Sequence, residues 1–308
     1  MPLAHAAAAE IGGTSVTLSG RVVAGYDYTS NVAKPDGSSG NVSRAASNQW
    51  GTSLLTLAAE RQIGANTGFA TLEAGFGSDK GGLNENNLWS RRAFVGLKND
   101  AWGKLQFGKN LSIANTVWFI DPMAQNWSGS ATLVGGRNWN MAPGAIEYAT
   151  PTFGGAGLAV QYSPGGQVGA SRVGTKVGVS ATYLAGPVGL YAVYDTQACG
   201  SGQTSCTPGR YDNVYNASKE FIVGGTYQLG PAKLFAGWNR LSAPDAAGPA
   251  PTRAQQVWLG INYQLTDPLL LRAAIYRASS NVDATVSPFD GATPYGGKRG
   301  TLIALGAD

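Results

Sequence analysis

The chain has 308 residues, a formal net charge of +4, 13% charged residues and 44 glycines, and its mean hydropathy is −0.10. No apolar run reaches the roughly 18 residues that a membrane-spanning helix needs, and the basic residues stand singly, without the clustered footprint of nucleic-acid binding. Few helix formers beside many Tyr, Val, Thr and Gly favour strands and turns, and apolar residues diluted in this way suit a membrane β-barrel.

Residues 1–9 resemble the end of a secretory leader, with Ala4-His5-Ala6 in the form of a cleavage site. The barrel is therefore expected over 10–308. From Thr14 the sequence alternates: Val16, Leu18, Val22, Ala24 and Tyr26 share one face, and Thr17, Ser19, Arg21 and Asp27 the other. Residues 29–48, rich in Ser, Asn, Gly and Asp, read as an exposed loop. A second strand over 49–62, a turn at Gly64-Ala-Asn-Thr-Gly68 and a third strand over 69–76 follow. After a polar loop at 77–87, a strand over 88–98 sets Arg92, Phe94 and Gly96 against Ala93, Val95 and Leu97. A short turn at 99–103 leads into the fifth strand, which ends at Lys109.

Residues 110–141 break the pattern. They have no clear period and are far longer than an ordinary connection. Trp118, Phe119, Trp127 and Trp139 argue against disorder, because such side chains need something to pack against. The expectation is a segment that folds back into a barrel lumen and narrows it. Beyond it, strands read near 143–151, 156–163, 172–184, 187–195, 219–229, 232–241, 254–265, 268–278 and 298–307, which makes fourteen in all. Connections alternate between short turns, such as Gly186-Pro187, Gly230-Pro231 and Asp267-Pro268, and long polar loops. Short turns on one rim and long loops on the other are the pattern of outer-membrane barrels.

The face opposite the apolar one carries Lys176, Gln256, Asn262, Gln264 and Arg272. A packed core would desolvate each of these at about 1–3 kcal/mol if unpaired, whereas a water-filled lumen removes that cost. Trp50, Trp102, Tyr183, Tyr194, Tyr227, Trp238 and Tyr263 fall near strand ends with outward parity and suit interfacial aromatic girdles.

Three stretches carry a family resemblance: Thr14-Ser-Val-Thr-Leu-Ser-Gly20, Arg91-Arg-Ala-Phe-Val-Gly-Leu97 followed by Trp102-Gly-Lys-Leu-Gln-Phe-Gly-Lys109, and Tyr148-Ala-Thr-Pro-Thr-Phe-Gly-Gly155. They resemble the first strand, the strand-four to strand-five hairpin and the turn after the constriction loop of the general porins of Gram-negative bacteria, of the β-proteobacterial type. The resemblance implies a sixteen-stranded barrel in the outer membrane, a homotrimer in contact with outer-membrane lipid and lipopolysaccharide, and an inward third loop. Fourteen strands against sixteen lead to the expectation that the C-terminal strands are truncated here. The resemblance further implies passive diffusion of small hydrophilic solutes and ions, with mild anion selectivity.

Pores select ions by charge and width at the neck. The resemblance places Arg92 on the lumen wall and Arg137, within Gly136-Arg-Asn-Trp139, at the end of the loop. Asp121 on the loop and Glu73 on the third strand are the acidic counterparts. Arg91 has outward parity and reads as a rim residue. Gln49 stands where anion-selective relatives often carry Arg, which removes one charge from the pore.

Cys199 and Cys206, seven residues apart in a Gly/Ser/Thr loop, read as a local disulfide in an oxidising compartment. His5 is the only histidine, so a Ser-His pair is not available to a mature chain. No cofactor or metal-ligand spacing occurs, and no enzyme is expected. Two alternatives stand beside the diffusion channel: a barrel that anchors adhesive surface loops, and a substrate-specific channel.

Overall fold

The computed structural model describes residues 5–33, 38–47, 51–124, 141–166, 168–169, 174–198, 218–242, 253–280, 285–286, 294–295 and 299–308. In chain order the strands are β1 (His5–Ile11), β2 (Thr14–Arg21), β3 (Ala24–Ala33), β4 (Ser39–Ser47), β5 (Ser53–Ile63), β6 (Asn66–Phe76), β7 (Arg92–Asn99), β8 (Gly103–Leu111), β9 (Met141–Ala149) and β10 (Ala156–Ser163). They continue with β11 (Lys176–Ala185), β12 (Val188–Gln197), β13 (Ser218–Leu229), β14 (Ala232–Ser242), β15 (Arg253–Thr266), β16 (Leu269–Ser280), the short β17 (Thr285–Val286) and β18 (Pro294–Tyr295), and β19 (Arg299–Ala307). Two 3-10 segments, Asn84–Asn86 and Ile113–Ile120, complete the list.

Fifteen of the strands form one antiparallel sheet in the order β1-β2-β5-β6-β7-β8-β9-β10-β11-β12-β13-β14-β15-β16-β19. All fourteen strands read from the alternation lie in it, and β1 is the fifteenth. The sequence reading assigned most of β1 to a leader; in the structure the Ala run pairs residue by residue with β2, from His5 opposite Gly20 to Ile11 opposite Thr14. Residues 29–48 are corrected from a loop to most of a hairpin, because β3 pairs with β4 outside the main sheet. The alternation read from Thr14 runs on into β3 through Ala24, Tyr26 and Asp27, and nothing in it marks that the chain leaves the main sheet after Arg21.

The tight turns follow local backbone chemistry. Gly186 and Gly230 adopt φ of +54° and +56°, which glycine takes without a Cβ penalty, and each precedes the proline that opens the next strand. On the strands, parity decides environment. Outward Leu18, Val95, Phe107, Leu158, Val179, Leu259 and Ile275 are all exposed. A band of this kind is not sustained against water but is the lipid-facing surface of a barrel. Tyr183, Tyr194, Tyr227 and Tyr263 are exposed on the same face, and Trp238 packs edge-on against Phe221 with ring centroids 5.8 Å apart. The concave face is different in kind. It holds Gln161, Asp195, Glu220, Asn239, Gln256 and Asn262, all buried, together with a compact apolar cluster formed where the chain re-enters the sheet.

Candidate functional site

That re-entering stretch is Leu111–Ala124. Its entry is fixed by Gln161 on β10, whose side-chain oxygen accepts from Ile113 N at 3.1 Å and whose amide donates to Leu111 O at 2.8 Å and to Glu147 at 2.7 Å. Ser112 caps the 3-10 segment by accepting from Ala114 N at 3.3 Å, the role its short hydroxyl suits. Tyr191 on β12 donates to Ile113 O at 3.2 Å and hydrogen-bonds Thr116. Farther along, Trp258 on β15 donates to Ile120 O at 2.8 Å, Arg272 on β16 donates to Pro122 O at 2.9 Å, and Tyr276 donates to the Asp121 carboxylate. One segment thus bonds or packs against every strand from β10 to β16. The sheet curves around it, and it lies inside.

Close approach is made possible by glycines on the wall. A Cβ at Gly178 would meet Ile113 at 2.3 Å, one at Gly189 would meet Phe119 at 3.1 Å, one at Gly224 would meet Ile120 at 2.6 Å, and one at Gly260 would meet Pro122 at 2.4 Å. Carbon atoms rest at about 3.5–4.0 Å, so a larger residue at Gly260 pushes against the rigid Pro122 ring, while at Gly178, Gly189 and Gly224 the side chains of Ile113, Phe119 and Ile120 must give way. Ile113, Val117, Ile120 and Met123 then pack with Ile222, Trp258 and Tyr276 as a dry anchor. Phe119 lies under Lys233, whose Nζ is 5.4 Å from the ring centroid, while Trp118 stays 52% exposed.

A second group gathers on the same face but on other strands, at β2, β5, β6 and β7 and the residues just before β5 and β7. Glu73 is 3% exposed. Its carboxylate accepts from Arg91 Nε at 2.8 Å, from Arg92 Nη1 at 2.8 Å and from Thr56 Oγ1 at 3.1 Å. Arg91 also donates to Thr52 Oγ1 at 3.0 Å, and Arg21 donates to Thr52 O at 2.8 Å. Three guanidiniums therefore gather around one carboxylate, an excess of two positive charges within this cluster. The Arg92 side chain is 34% exposed and the Arg91 side chain 12%, so Arg92 presents the charge to the lumen while Arg91 locks Glu73.

The structure brings Glu73 and Arg92 together and places Asp121 among the inner segment's anchors. At 1% exposure Asp121 faces the wall, where it also accepts from Met123 N at 3.1 Å. Arg137, Trp127, Trp139, Gln49, Trp50, Cys199 and Cys206 lie outside the described residues. Arg91 is corrected from an outward rim position. It precedes β7 rather than belonging to it, so strand parity does not govern its side chain. Sequence reasoning missed Arg21 as a member of this cluster although it gave it inward parity. It also left Arg272 without a place, whereas Arg272 holds both Pro122 and Asp308, the latter at 2.6 Å.

A family profile described as Gram-negative porin matches residues 2–307. An outer membrane porin protein of Bordetella pertussis is 24% identical over 184 residues, 55% of this chain and 46% of the relative, so the chain spans about half the length of that curated relative. The fold is similar to that of the anion-selective porin from Comamonas acidovorans, with a TM-score of 0.65, 20% identity and coverage of 95% of this chain and 98% of that one. It is likewise similar to OmpF of Salmonella typhi in a complex with daunomycin, with a TM-score of 0.66, 19% identity and coverage of 91% and 85%. Together with the lipid-facing band and the segment held inside the sheet, the match over 2–307 makes this chain a member of the Gram-negative porin family, an outer-membrane β-barrel protein.

Proposed function

We infer that the chain forms a water-filled channel for passive diffusion of small hydrophilic solutes and ions across the outer membrane, with a mild preference for anions. The observation that carries the preference is the cluster of Arg21, Arg91 and Arg92 around the single carboxylate of Glu73, on strands other than the β10–β16 wall that holds the described part of the inner segment. Fixed charge on a narrow, low-dielectric wall concentrates counter-ions and sets selectivity. Arg92 supplies the exposed charge and Glu73 moderates it. Asp121 contributes by holding the inner segment in place, and Arg137 adds a second basic group from the same loop. The constriction extends over 110–141 within the barrel. The assembly is a homotrimer in contact with outer-membrane lipid, and Cys199 and Cys206 form a local disulfide in a surface loop.

Reconstitution of the full protein in planar bilayers under a salt gradient tests this reading. Stepwise conductance with a zero-current potential of modest anionic sign is expected. A clearly cation-selective potential contradicts the charge argument, and saturable flux of one solute contradicts free diffusion.

A further inference from the structure

A third group lies on the concave face beside the short turns, away from the arginine cluster. Lys233, near the start of β14, shares inward parity with Phe235 and Asn239. Its Nζ stands 5.3 Å from the Phe235 ring centroid and 5.4 Å from that of Phe119 on the inner segment. Ring faces attract an ammonium through their quadrupoles, but they leave its N–H donors without an oxygen. Among the described residues no acid and no hydrogen-bond acceptor engages Lys233. The Phe119 ring rests against Gly189, where a Cβ would meet it at 3.1 Å. Trp118 meets Phe119 edge-on with ring centroids 6.2 Å apart. Ile113, Val117 and Ile120 of the same segment are buried, whereas Trp118 is 52% exposed, so its open face takes no part in the anchoring.

On the other side of Lys233, across the β14–β15 ladder, stands Asn262, itself opposite Arg272 on β16. Asn262 is 8% exposed, and its Oδ1 meets no donor among the described residues. A buried acceptor in this state costs stability until a donor reaches it. Arg272 is directed elsewhere, to Pro122 O and to the Asp308 carboxylate. The order across the wall is therefore an open aromatic face, a cation and an acceptor.

We propose that Trp118, Phe119, Lys233 and Asn262 form a binding site for a small aromatic acid that carries a hydrogen-bond donor, amine or hydroxyl, on the carbon next to its carboxylate. The ring packs on Trp118 and Phe119, the carboxylate takes the Lys233 ammonium, and the amine or hydroxyl donates to Asn262 Oδ1. The short-turn rim is the periplasmic one in barrels of this kind, so the site lies in the inner half of the lumen, beside the narrowing. It rests on the reading of the concave face as a wet lumen. A ligand of about a dozen heavy atoms supports binding of about millimolar strength. At micromolar solute the site is mostly empty, and flux of this class stays linear there.

The test is saturation-transfer NMR on the full protein in non-ionic detergent, with empty micelles as the baseline. The probes are phenylalanine, 3-phenyllactate, 3-phenylpropanoate, which lacks the donor, phenethylamine, which lacks the carboxylate, and leucine, which lacks the ring. Phenylalanine and 3-phenyllactate are expected to bind best, and the amine and hydroxyl sources are told apart by which of the two is tighter. Trp118→Ala weakens phenylalanine binding about fivefold, and Lys233→Met does so about fivefold. Asn262→Leu keeps the size of the side chain and removes the acceptor. It lowers phenylalanine binding about fivefold and leaves that of 3-phenylpropanoate unchanged, a selective loss that general damage to the wall does not produce. Heat-modifiable gel migration verifies folding of each variant. Equal binding of phenylalanine and leucine by the wild type overturns the proposal. So does unchanged phenylalanine binding by the folded double variant Trp118→Ala, Lys233→Met. Conductance in bilayers without phenylalanine binding overturns the site and leaves the channel standing, while phenylalanine binding without conductance counts against the channel alone.

Discussion

Gly260→Val probes the seating of the inner segment. A Cβ at Gly260 falls 2.4 Å from Pro122 Cγ, 2.7 Å from Pro122 Cβ and 2.9 Å from Ala273 O. Since carbons rest at about 3.5–4.0 Å, Pro122 must withdraw by about 1 Å before the two methyls of Val are counted. Overpacking of this kind costs about 1–3 kcal/mol. The withdrawal also pulls Pro122 O away from Arg272 Nη1, now at 2.9 Å, a loss of about 1 kcal/mol. Taken as about 3 kcal/mol, the sum shifts the balance between seated and displaced segment by about a hundredfold, each 1.4 kcal/mol being tenfold. The strands themselves keep their ladder. Single-channel recording in planar bilayers should therefore show a normally folded protein with a larger or noisier conductance step. Gly157→Ala is the control, because the nearest neighbour to a new Cβ is Thr182 Oγ1 at 3.3 Å and no described residue of the inner segment comes within 4 Å. If folded Gly260→Val and Gly157→Ala both conduct like the wild type, the inner segment does not govern the pore.

Three further changes test the two charged groups. Arg92→Glu reverses the most exposed charge of the cluster and should move the zero-current potential toward cations; an unchanged potential removes Arg92 from the neck. Glu73→Gln takes away the negative charge and one of the two oxygens that accept from Arg91 and Arg92. It should cost about 2 kcal/mol of resistance to denaturant and strengthen anion preference, so an anion preference that weakens refutes the assignment. Tyr276→Phe deletes the hydroxyl that holds Asp121 and should loosen the inner segment by about 1.5–3 kcal/mol, visible as added gating noise with little change in selectivity. A strong selectivity change instead would mean that Asp121 contributes field rather than attachment.

Much of the wall was legible because period-two patterning is strict when one face meets lipid and the other water. Val177 and Val179 against Gly178 and Ser180 needed no further information. Glu73 followed from the same parity because it lies inside β6, and Arg92, the first residue of β7, because it already pairs with Glu73 across the ladder. Arg91 did not, because one residue before β7 the chain is no longer pleated and its side chain turns in to Glu73. The hairpin of β3 and β4 was hidden for another reason: the period of β2 continues through Ala24 and Tyr26, and nothing in it marks that the chain leaves the main sheet after Arg21. The Ala run of β1 offers too little contrast between its faces to show a period. The four wall glycines were visible only as glycines. Their role depends on which part of residues 110–141 folds back onto them, and that contact is made by residues more than fifty positions apart in sequence. Trp258 carried a usable signal, an inward parity shared with Gln256 and Asn262, but its bond to Ile120 O spans 138 residues.

Adjacent residues on β6 offer the most direct test that one face of the wall meets water and the other lipid. Ala70 pairs with Val95 on the outward side, and Thr71 pairs with Phe94 on the side shared with Glu73 and Arg92. With Cys199 and Cys206 replaced by serine, Thr71→Cys and Ala70→Cys are each reconstituted in lipid bilayers and exposed to a membrane-impermeant, charged thiol reagent during conductance recording. Thr71→Cys should react and lower the conductance step, while Ala70→Cys stays unreactive and conducts as before. Rapid reaction at position 70 with protection at position 71, or reaction at both without any change in current, would contradict a water-filled channel through this barrel.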